Sequence, residues 1–273
     1  MAISVGNSIL AFADEIAGQC EVPVPLIKIA EEEMINVICD DYGNSSFDGL
    51  TWFESETEEF YIHLNTNHER KNDPATTKGR FTLAHELGHY FIPSHRQGLI
   101  SGDLKPHGSI NYITNQSAWQ IERDADAFAS VLLMPTRSFK EFIKGRSFNF
   151  GVIEDLAARY NVSKSAAALR YVGIGHTPIM VVYAVDGKIR WISRSESFPF
   201  WRLRYGNGKG DRVPEFTVMG TYFYENDDSD CGKEETVYAL DCFDTRREED
   251  NDRAFLEWCI GYQNKALSVF WEK

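Results

Sequence analysis

The chain has 273 residues, of which 43% are apolar and 25% carry a formal charge, the composition of an ordinary globular protein. This length allows a substantial core without disulfides, and the composition excludes intrinsically disordered, collagen-like and coiled-coil proteins. The 41 acidic residues outnumber the 28 lysines and arginines and give a net charge of −13. That balance excludes a protein that coats nucleic acid through overall positive charge.

The cysteines and the first residues of the chain predict its compartment. The five cysteines are scattered and form no CxxC pair, so neither a disulfide framework nor a structural zinc knuckle is indicated. The amino-terminal segment lacks the basic start of a secretory signal, and no apolar run is long enough to span a membrane. We therefore expect a cytoplasmic protein.

Residue periodicity predicts an α-rich first part of the chain. Apolar spacing favours helices over residues 8–19, 25–36, 78–92, 117–133, 137–145 and 151–172. Alternation of Phe60, Ile62 and Leu64 indicates a strand, and the polar stretch 65–77 that follows is typical of a loop.

The pattern changes near residue 175, where we place a domain boundary. The apolar run 179–185, the turn Asp186-Gly187 and the segment that follows predict a β-hairpin. Strands are expected over 214–224 and 235–242, and a closing helix over 253–270. The expected fold class is α+β, with an α-rich domain (1–175) followed by a smaller α/β domain (176–273).

The segment from Phe81 to Ile92 contains an HExxH motif. His85 and His89 are four residues apart, so a helix presents both imidazoles on one face, where they can bind one metal ion. Glu86 is the only charged residue of this segment, and it lies close enough to act on a metal-bound water. A chance HExxH in an amphipathic helix would be expected to have charged flanks.

A catalytic zinc site needs a third protein ligand, and the sequence offers several candidates. His95 has the spacing of motifs in which a glycine turn follows the helix, but Ile92 stands where that glycine is needed. Glu122 and Asp126 are four apart on a second predicted helix, so one can bind the metal while the other accepts a ligand N–H. Asp124 is an alternative on the same helix. The pattern favours Glu122 as ligand and Asp126 as its supporting carboxylate.

These two motifs resemble a known family. HELGHYFIPSH (85–95), followed by ERDADAFASVLLMP (122–135), is similar to the ImmA/IrrE metallopeptidases, and the resemblance covers roughly residues 20–172. It implies a zincin-like, gluzincin-type fold in which His85, His89 and Glu122 bind Zn²⁺ or Mn²⁺ and Glu86 is the catalytic base. Asp126 stands where the family often has Asn.

The resemblance also implies a function. A zinc ion lowers the pKa of a bound water from about 15.7 to about 7, and a carboxylate such as Glu86 accepts the released proton during peptide hydrolysis. Family members most often cleave a helix-turn-helix repressor and thereby derepress a stress, phage or defence operon. Two alternatives remain open, namely a metal-stabilised anti-repressor that does not cleave and a broad-specificity metallopeptidase.

Other residues are weaker candidates for parts of that function. His107, Tyr112 and Arg170 could stabilise the oxyanion of the reaction, although each is more often structural. Residues 151–172 resemble a helix-turn-helix, but their charged residues sum to only +1, which argues against DNA reading.

A cationic and aromatic stretch lies in the second domain. The cations are Arg194, Arg202, Arg204, Lys209 and Arg212, and the interleaved aromatics are Phe198, Phe200, Trp201 and Tyr205. Such a pattern can bind single-stranded DNA, with Arg202, Arg204 and Trp201 as our candidates, or it can be an ordinary sheet edge with buried rings. Some members of the family carry a GAF-like sensory domain after the peptidase, and the resemblance implies one here.

Two cysteines could hold the enzyme in a latent form. Thiolate is a strong zinc ligand, so Cys231 or Cys39 could occupy the open metal position, although an ordinary free thiol is the commoner role.

Overall fold

The computed structural model describes residues 6–43, 47–67, 72–104, 116–204 and 209–273. The chain divides into two compact units. The first unit comprises Met1–Phe142 with Leu156–Ser163, and the second comprises Ile143–Asp155 with Lys164–Lys273. The functional domain boundary that we place near residue 175 stays a prediction.

The first unit contains most of the helices. Its described elements are α1 (Asn7–Gly18), α2 (Leu26–Glu32), β1 (Asn36–Asp40), β2 (Gly49–Glu54), β3 (Glu59–Asn65), α3 (Thr77–Phe91), α4 (Pro93–Ser101), α5 (Gln116–Leu133) and α6 (Thr136–Ile143). Its sheet has the order β1-β3-β2, with β1 parallel and β2 antiparallel to β3. Helix α3 packs on β2 and β3 and against α5, which also contacts α1.

Helix α3 is the central element of this unit because it is buried along most of its length. The Thr76 side chain caps its start by accepting a hydrogen bond from Gly79 N at 3.0 Å. It ends at Phe91. Pro93 then begins α4, and because the first backbone N–H groups of a helix have no partner within the helix, proline costs no hydrogen bond there. Ile92 between them has an extended backbone, so the glycine turn that His95 would have required is absent.

Helix α7 (Phe150–Tyr160) contributes residues to both units, and Asn161 ends it with a φ of 50°. The segment 151–172 therefore contains two helices with a turn at Asn161, as its resemblance to a helix-turn-helix predicts. The second unit continues with α8 (Lys164–Ile174), β4 (Ile179–Val185), β5 (Lys188–Arg194), α9 (Val218–Tyr224), β6 (Glu234–Tyr238), α10 (Ala239–Cys242), β7 (Ala254–Tyr262) and β8 (Lys265–Glu272). Its five strands form an antiparallel sheet in the order β5-β4-β8-β7-β6. The predicted hairpin of β4 and β5 is confirmed, with positive φ at both Asp186 and Gly187.

The closing segment is a β-hairpin and not the predicted helix. Phe255, Glu257 and Cys259 of β7 are all fully buried on one face. Trp258 is buried on the other face, where it stacks on Phe150 with the ring centroids 3.2 Å apart. A strand buried on both faces is apolar at nearly every position, so it lacks the alternation that distinguishes it from a buried helix.

Two shorter segments also differ from prediction. Residues 214–224 contain helix α9, because Thr217 caps its start by accepting a hydrogen bond from Gly220 N at 2.9 Å. The helix predicted over 25–36 stops at Glu32, and Met34 has a φ of 58° before β1 begins.

None of the helices in the described parts of the chain has the length and apolarity that crossing a lipid bilayer requires.

Candidate metal centre

The two histidines of the HExxH motif face each other on one side of α3. Their Nε2 atoms are 3.1 Å apart, and both residues are buried, with 5% and 6% of their surface exposed. The four-residue spacing on a regular helix accounts for this geometry, because such positions lie one turn apart on the same face.

Glu122 on α5 completes the set. Its Oε2 is 3.2 Å from Nε2 of His85, and its Oε1 is 3.5 Å from Nε2 of His89. The three residues offer ligand atoms that all lie within 4.8 Å of one another. Because no β-carbon is present at Gly88, the backbone of α5 can approach α3; a β-carbon there would be 3.3 Å from Ala125 Cα.

The chemistry of these atoms fits a divalent cation. Nδ1 of His85 is 2.9 Å from the Asp126 carboxylate, which accepts its hydrogen and leaves Nε2 as a lone-pair acceptor. That lone pair faces the anionic Glu122, an arrangement that is repulsive unless positive charge lies between them. Two imidazoles and one carboxylate are also the donor set of many catalytic zinc sites.

The pKa of His85 reflects the same need for positive charge. Burial lowers this pKa, but hydrogen bonds with Asp126 and Glu122 outweigh burial and raise it to about 10. When His85 is protonated, it supplies next to Glu122 the positive charge that a bound cation would otherwise supply.

A residue of the sheet orients the Glu86 carboxylate, although Glu86 itself lies on α3. Its side chain is 2% exposed, and Thr51 on β2 donates to its Oε2 at 2.7 Å. The Thr51 hydroxyl is also 3.0 Å from the Glu86 carbonyl oxygen. A β-carbon at Gly49 would lie 2.6 Å from Glu86 Oε1, so glycine is needed there for the carboxylate to fit.

Sequence reasoning missed both Thr51 and Gly49. They precede Glu86 by more than thirty residues on a different element, and no spacing rule connects a strand residue to a later helix residue. The only available signal was that residues 49–54 could form a strand.

The alternative third ligands lie elsewhere around the site. The His95 ring is next to that of His89, with centroids 5.2 Å apart, but the convergent set found among the described residues does not include it. Asp124 accepts a hydrogen bond from Gln120 on its own helix at 2.7 Å. Of the oxyanion candidates, His107 and Tyr112 lie outside the described residues, and Arg170 lies on α8 of the second unit.

The cationic stretch is only partly a surface feature. Phe198 and Phe200 are buried in the core of the second unit and contact Phe243 and Phe255, so their predicted stacking role is wrong. Arg204 donates to the Leu240 carbonyl oxygen.

An exposed part of the stretch remains. Trp201 is 73% exposed, with the Arg194 guanidinium carbon 3.5 Å from its ring centroid, and Arg202 is exposed beside it. Tyr205 lies outside the described residues.

Comparisons with known proteins indicate the family of the first part of the chain. The Peptidase_M78 model, described as the IrrE N-terminal-like domain, matches residues 32–171, about half of the chain. Over 138 residues the chain is 28% identical to metallopeptidase ImmA of Bacillus subtilis (strain 168), an alignment that covers 50% of this chain and 68% of that protein.

A solved structure shares the fold. It is a Mycobacterium tuberculosis transcriptional regulator, with a TM-score of 0.62 and 14% identity over 98% of this chain and 77% of that one. At this identity the likeness concerns the fold alone. The family match spans both helices of the metal centre, and the chain therefore belongs to the IrrE N-terminal-like family of M78 metallopeptidases.

Proposed function

We propose that this protein is a cytoplasmic zinc-dependent endopeptidase that cleaves a helix-turn-helix transcriptional repressor. His85, His89 and Glu122 would hold the metal, and Glu86 would act as the general base. The observation that carries the proposal is the convergence of the three ligand side chains beside a carboxylate that Thr51 holds in place. A purely structural metal site has no use for such a carboxylate.

Each polar residue of the centre has a task in this reaction. A bound divalent cation would supply Lewis acidity, polarising the peptide carbonyl and making water more acidic. Glu86 accepts a proton from the attacking water and later delivers it to the leaving amine. Thr51 fixes the carboxylate that makes this transfer, and Asp126 fixes the orientation of the His85 ring.

The sheet offers a place for an extended substrate. Strand β2 carries Thr51 and, within the described parts of the chain, pairs only with β3. An extended peptide can add to an edge strand by main-chain hydrogen bonds, which would align its carbonyl groups beside α3.

The repressor as substrate is supported by charge and by the relatives. A net charge of −13 suits a basic DNA-binding partner, because complementary charge speeds encounter and disfavours acidic proteins. One relative is a metallopeptidase named ImmA, and a protein of the same fold is described as a transcriptional regulator. Cleavage would then derepress a stress, phage or defence operon.

Glu86→Gln tests the catalytic part of the proposal. The purified variant and the wild type are loaded with Zn²⁺ and incubated with a helix-turn-helix repressor chosen from the genes that neighbour this one. We expect one specific cut by the wild type and a loss of at least about a hundredfold in the variant, with metal content unchanged. Equal derepression by both proteins would instead identify a non-cleaving anti-repressor, and turnover of casein would identify a broad-specificity peptidase.

We further propose that the second unit is a GAF-like sensory domain that gates this activity in response to single-stranded DNA. Its five-stranded antiparallel sheet and the contact of the half-buried Arg194 with the exposed Trp201 support this role. If single-stranded DNA stimulates cleavage, Trp201→Ala and Arg202→Ala should abolish the stimulation. Arg190→Ala, which removes an exposed cation from β5 of the same unit, is the matched control. An unchanged response in the first two variants would remove this part of the proposal.

A further inference from the structure

Two cysteines of the second unit are neighbours in space although 28 positions separate them in the sequence. Cys231 lies in the loop between α9 and β6 and is half-buried, whereas Cys259 on β7 is fully buried. Gly232 N donates to the Cys259 carbonyl oxygen at 2.7 Å, which holds the two main chains one hydrogen bond apart. The side chain of Cys231 packs against the core cluster that contains Cys259, so the two sulfurs lie on the same side of the sheet. Both thiols are free.

The two thiols differ in reactivity. Cys259 donates a hydrogen bond to the Cys231 sulfur, and the Gly261 N–H donates another; together these lower the pKa of Cys231 although burial opposes them. The contact with Cys231 and burial raise the pKa of Cys259. Burial also raises the pKa of Cys39, which is exposed, so the thiolate is favoured at Cys231 and not at the most accessible cysteine.

We propose that Cys231 and Cys259 form a reversible disulfide and make the second unit a redox-modification site for hydroperoxides. The Cys231 thiolate attacks one oxygen of hydrogen peroxide, which gives a sulfenic acid and releases hydroxide, protonated to water. The Cys259 sulfur then attacks the sulfenic sulfur, forming the S–S bond. The sulfenic hydroxyl leaves with the Cys259 proton as a second water. Two thiols supply two electrons, and one peroxide is reduced to two waters.

A polar chain links this pair to the core of the unit. Ser268 on β8 is the register partner of Cys259, and its hydroxyl donates to Glu257 Oε1 at 2.5 Å. The Glu257 carboxylate in turn accepts from the amides of Val218 and Met219, in the first turn of α9. Oxidation removes the Cys259 S–H at one end of this chain and ties the loop after α9 to β7.

The test uses the reduced full-length protein and hydrogen peroxide near stoichiometric amounts. We expect the loss of two of the five thiols, recovery of both with dithiothreitol, and a non-reduced peptide map that links Cys231 to Cys259. Cys39→Ser should form the same link, whereas Cys231→Ser and Cys259→Ala should not. In the reduced wild type, Cys231 should be alkylated by iodoacetamide at neutral pH severalfold faster than Cys39.

Several results would overturn the inference. In one, Cys231 is recovered as sulfinic acid and no disulfide joins it to Cys259. In another, a disulfide joins Cys231 to a different cysteine. In the third, all thiols remain after the peroxide treatment. Mapping of the wild type decides the matter even if the Cys259 variant fails to fold. The readout is covalent and needs no peptidase activity, so the inference goes beyond the proposed function and can fail or succeed independently of it.

Discussion

The two units each bury a carboxylate, but they surround it in opposite ways. In the second unit, Glu257 is fully buried and accepts three hydrogen bonds, from two amides of α9 and from Ser268. In the first unit, the Glu122 side chain is 15% exposed and faces the Nε2 atoms of His85 and His89. Glu257 is an acceptor among donors, whereas Glu122 faces the Nε2 atoms of two imidazoles, the atoms through which histidine can bind a metal.

This difference separates a structural group from a metal ligand better than burial does. A buried charge is costly unless neighbouring groups compensate it. The donors around Glu257 compensate part of that cost within the protein, and they hold α9 to the sheet. Glu122 instead converges with His85 and His89, so that three ligand atoms lie within 4.8 Å of one another and could be compensated by one bound cation.

We expect the largest effect from a substitution that removes the bound metal ion. Glu122→Gln takes away the anionic ligand, and we expect loss of bound metal after dialysis together with a loss of peptidase activity of about a thousandfold. Asp124→Asn, on the same helix, should keep both. Full metal content in Glu122→Gln would show that another residue completes the site.

The next largest effect is the dependence of the free energy of unfolding on pH that Glu257 causes. Burial raises its pKa from 4.5 to about 7, against the hydrogen bonds that lower it. The folded protein therefore retains a proton that the unfolded chain releases, and the free energy of unfolding should fall as pH rises from about 4.5 to about 7, by up to about 3 kcal/mol.

Glu257→Gln should remove this slope because an amide does not ionise in that range. The measurement is the hydrogen exchange of β7 and β8 amides in the full chain at pH 5 and pH 8, corrected for intrinsic rates. Glu225→Gln, which alters an exposed carboxylate after α9, should retain the slope. An identical pH dependence in wild type and Glu257→Gln would show that other groups are responsible.

The smallest effect concerns Thr51. Thr51→Val keeps the shape of the side chain but removes the hydroxyl that orients Glu86, and we expect kcat to fall about tenfold, or about 1.4 kcal/mol, with little change in KM. Thr51→Ser should restore most of the activity. A rise in KM at constant kcat would place Thr51 in substrate binding instead.

The sequence predicted much of the centre but not its support. His85, Glu86 and His89 are one local motif, and Glu122 with Asp126 is another, so helical spacing alone was enough to propose them. Thr51 and Gly49 reach Glu86 only because β2 packs against α3, and no periodicity in the chain records that contact.

The wrong secondary-structure predictions have a related cause. Strand β8 is buried at every position from Ala266 to Trp271, and β7 is buried at the successive positions Glu257, Trp258 and Cys259, so the hairpin shows no clean alternation of apolar and polar residues. Helix α9 consists largely of aromatic and β-branched residues that favour strands, yet the Thr217 cap and the Glu257 carboxylate stabilise its first turn.

By itself, the sequence determined the residue types that can bind a metal and the helices that present them, because both depend on neighbours within one or two turns. Tertiary structure alone decided which carboxylate faces the histidines, which hydroxyl orients Glu86, and that Cys231 meets Cys259. Those contacts join residues far apart in the chain, and they exist only where packing brings separate elements within a few ångströms of one another.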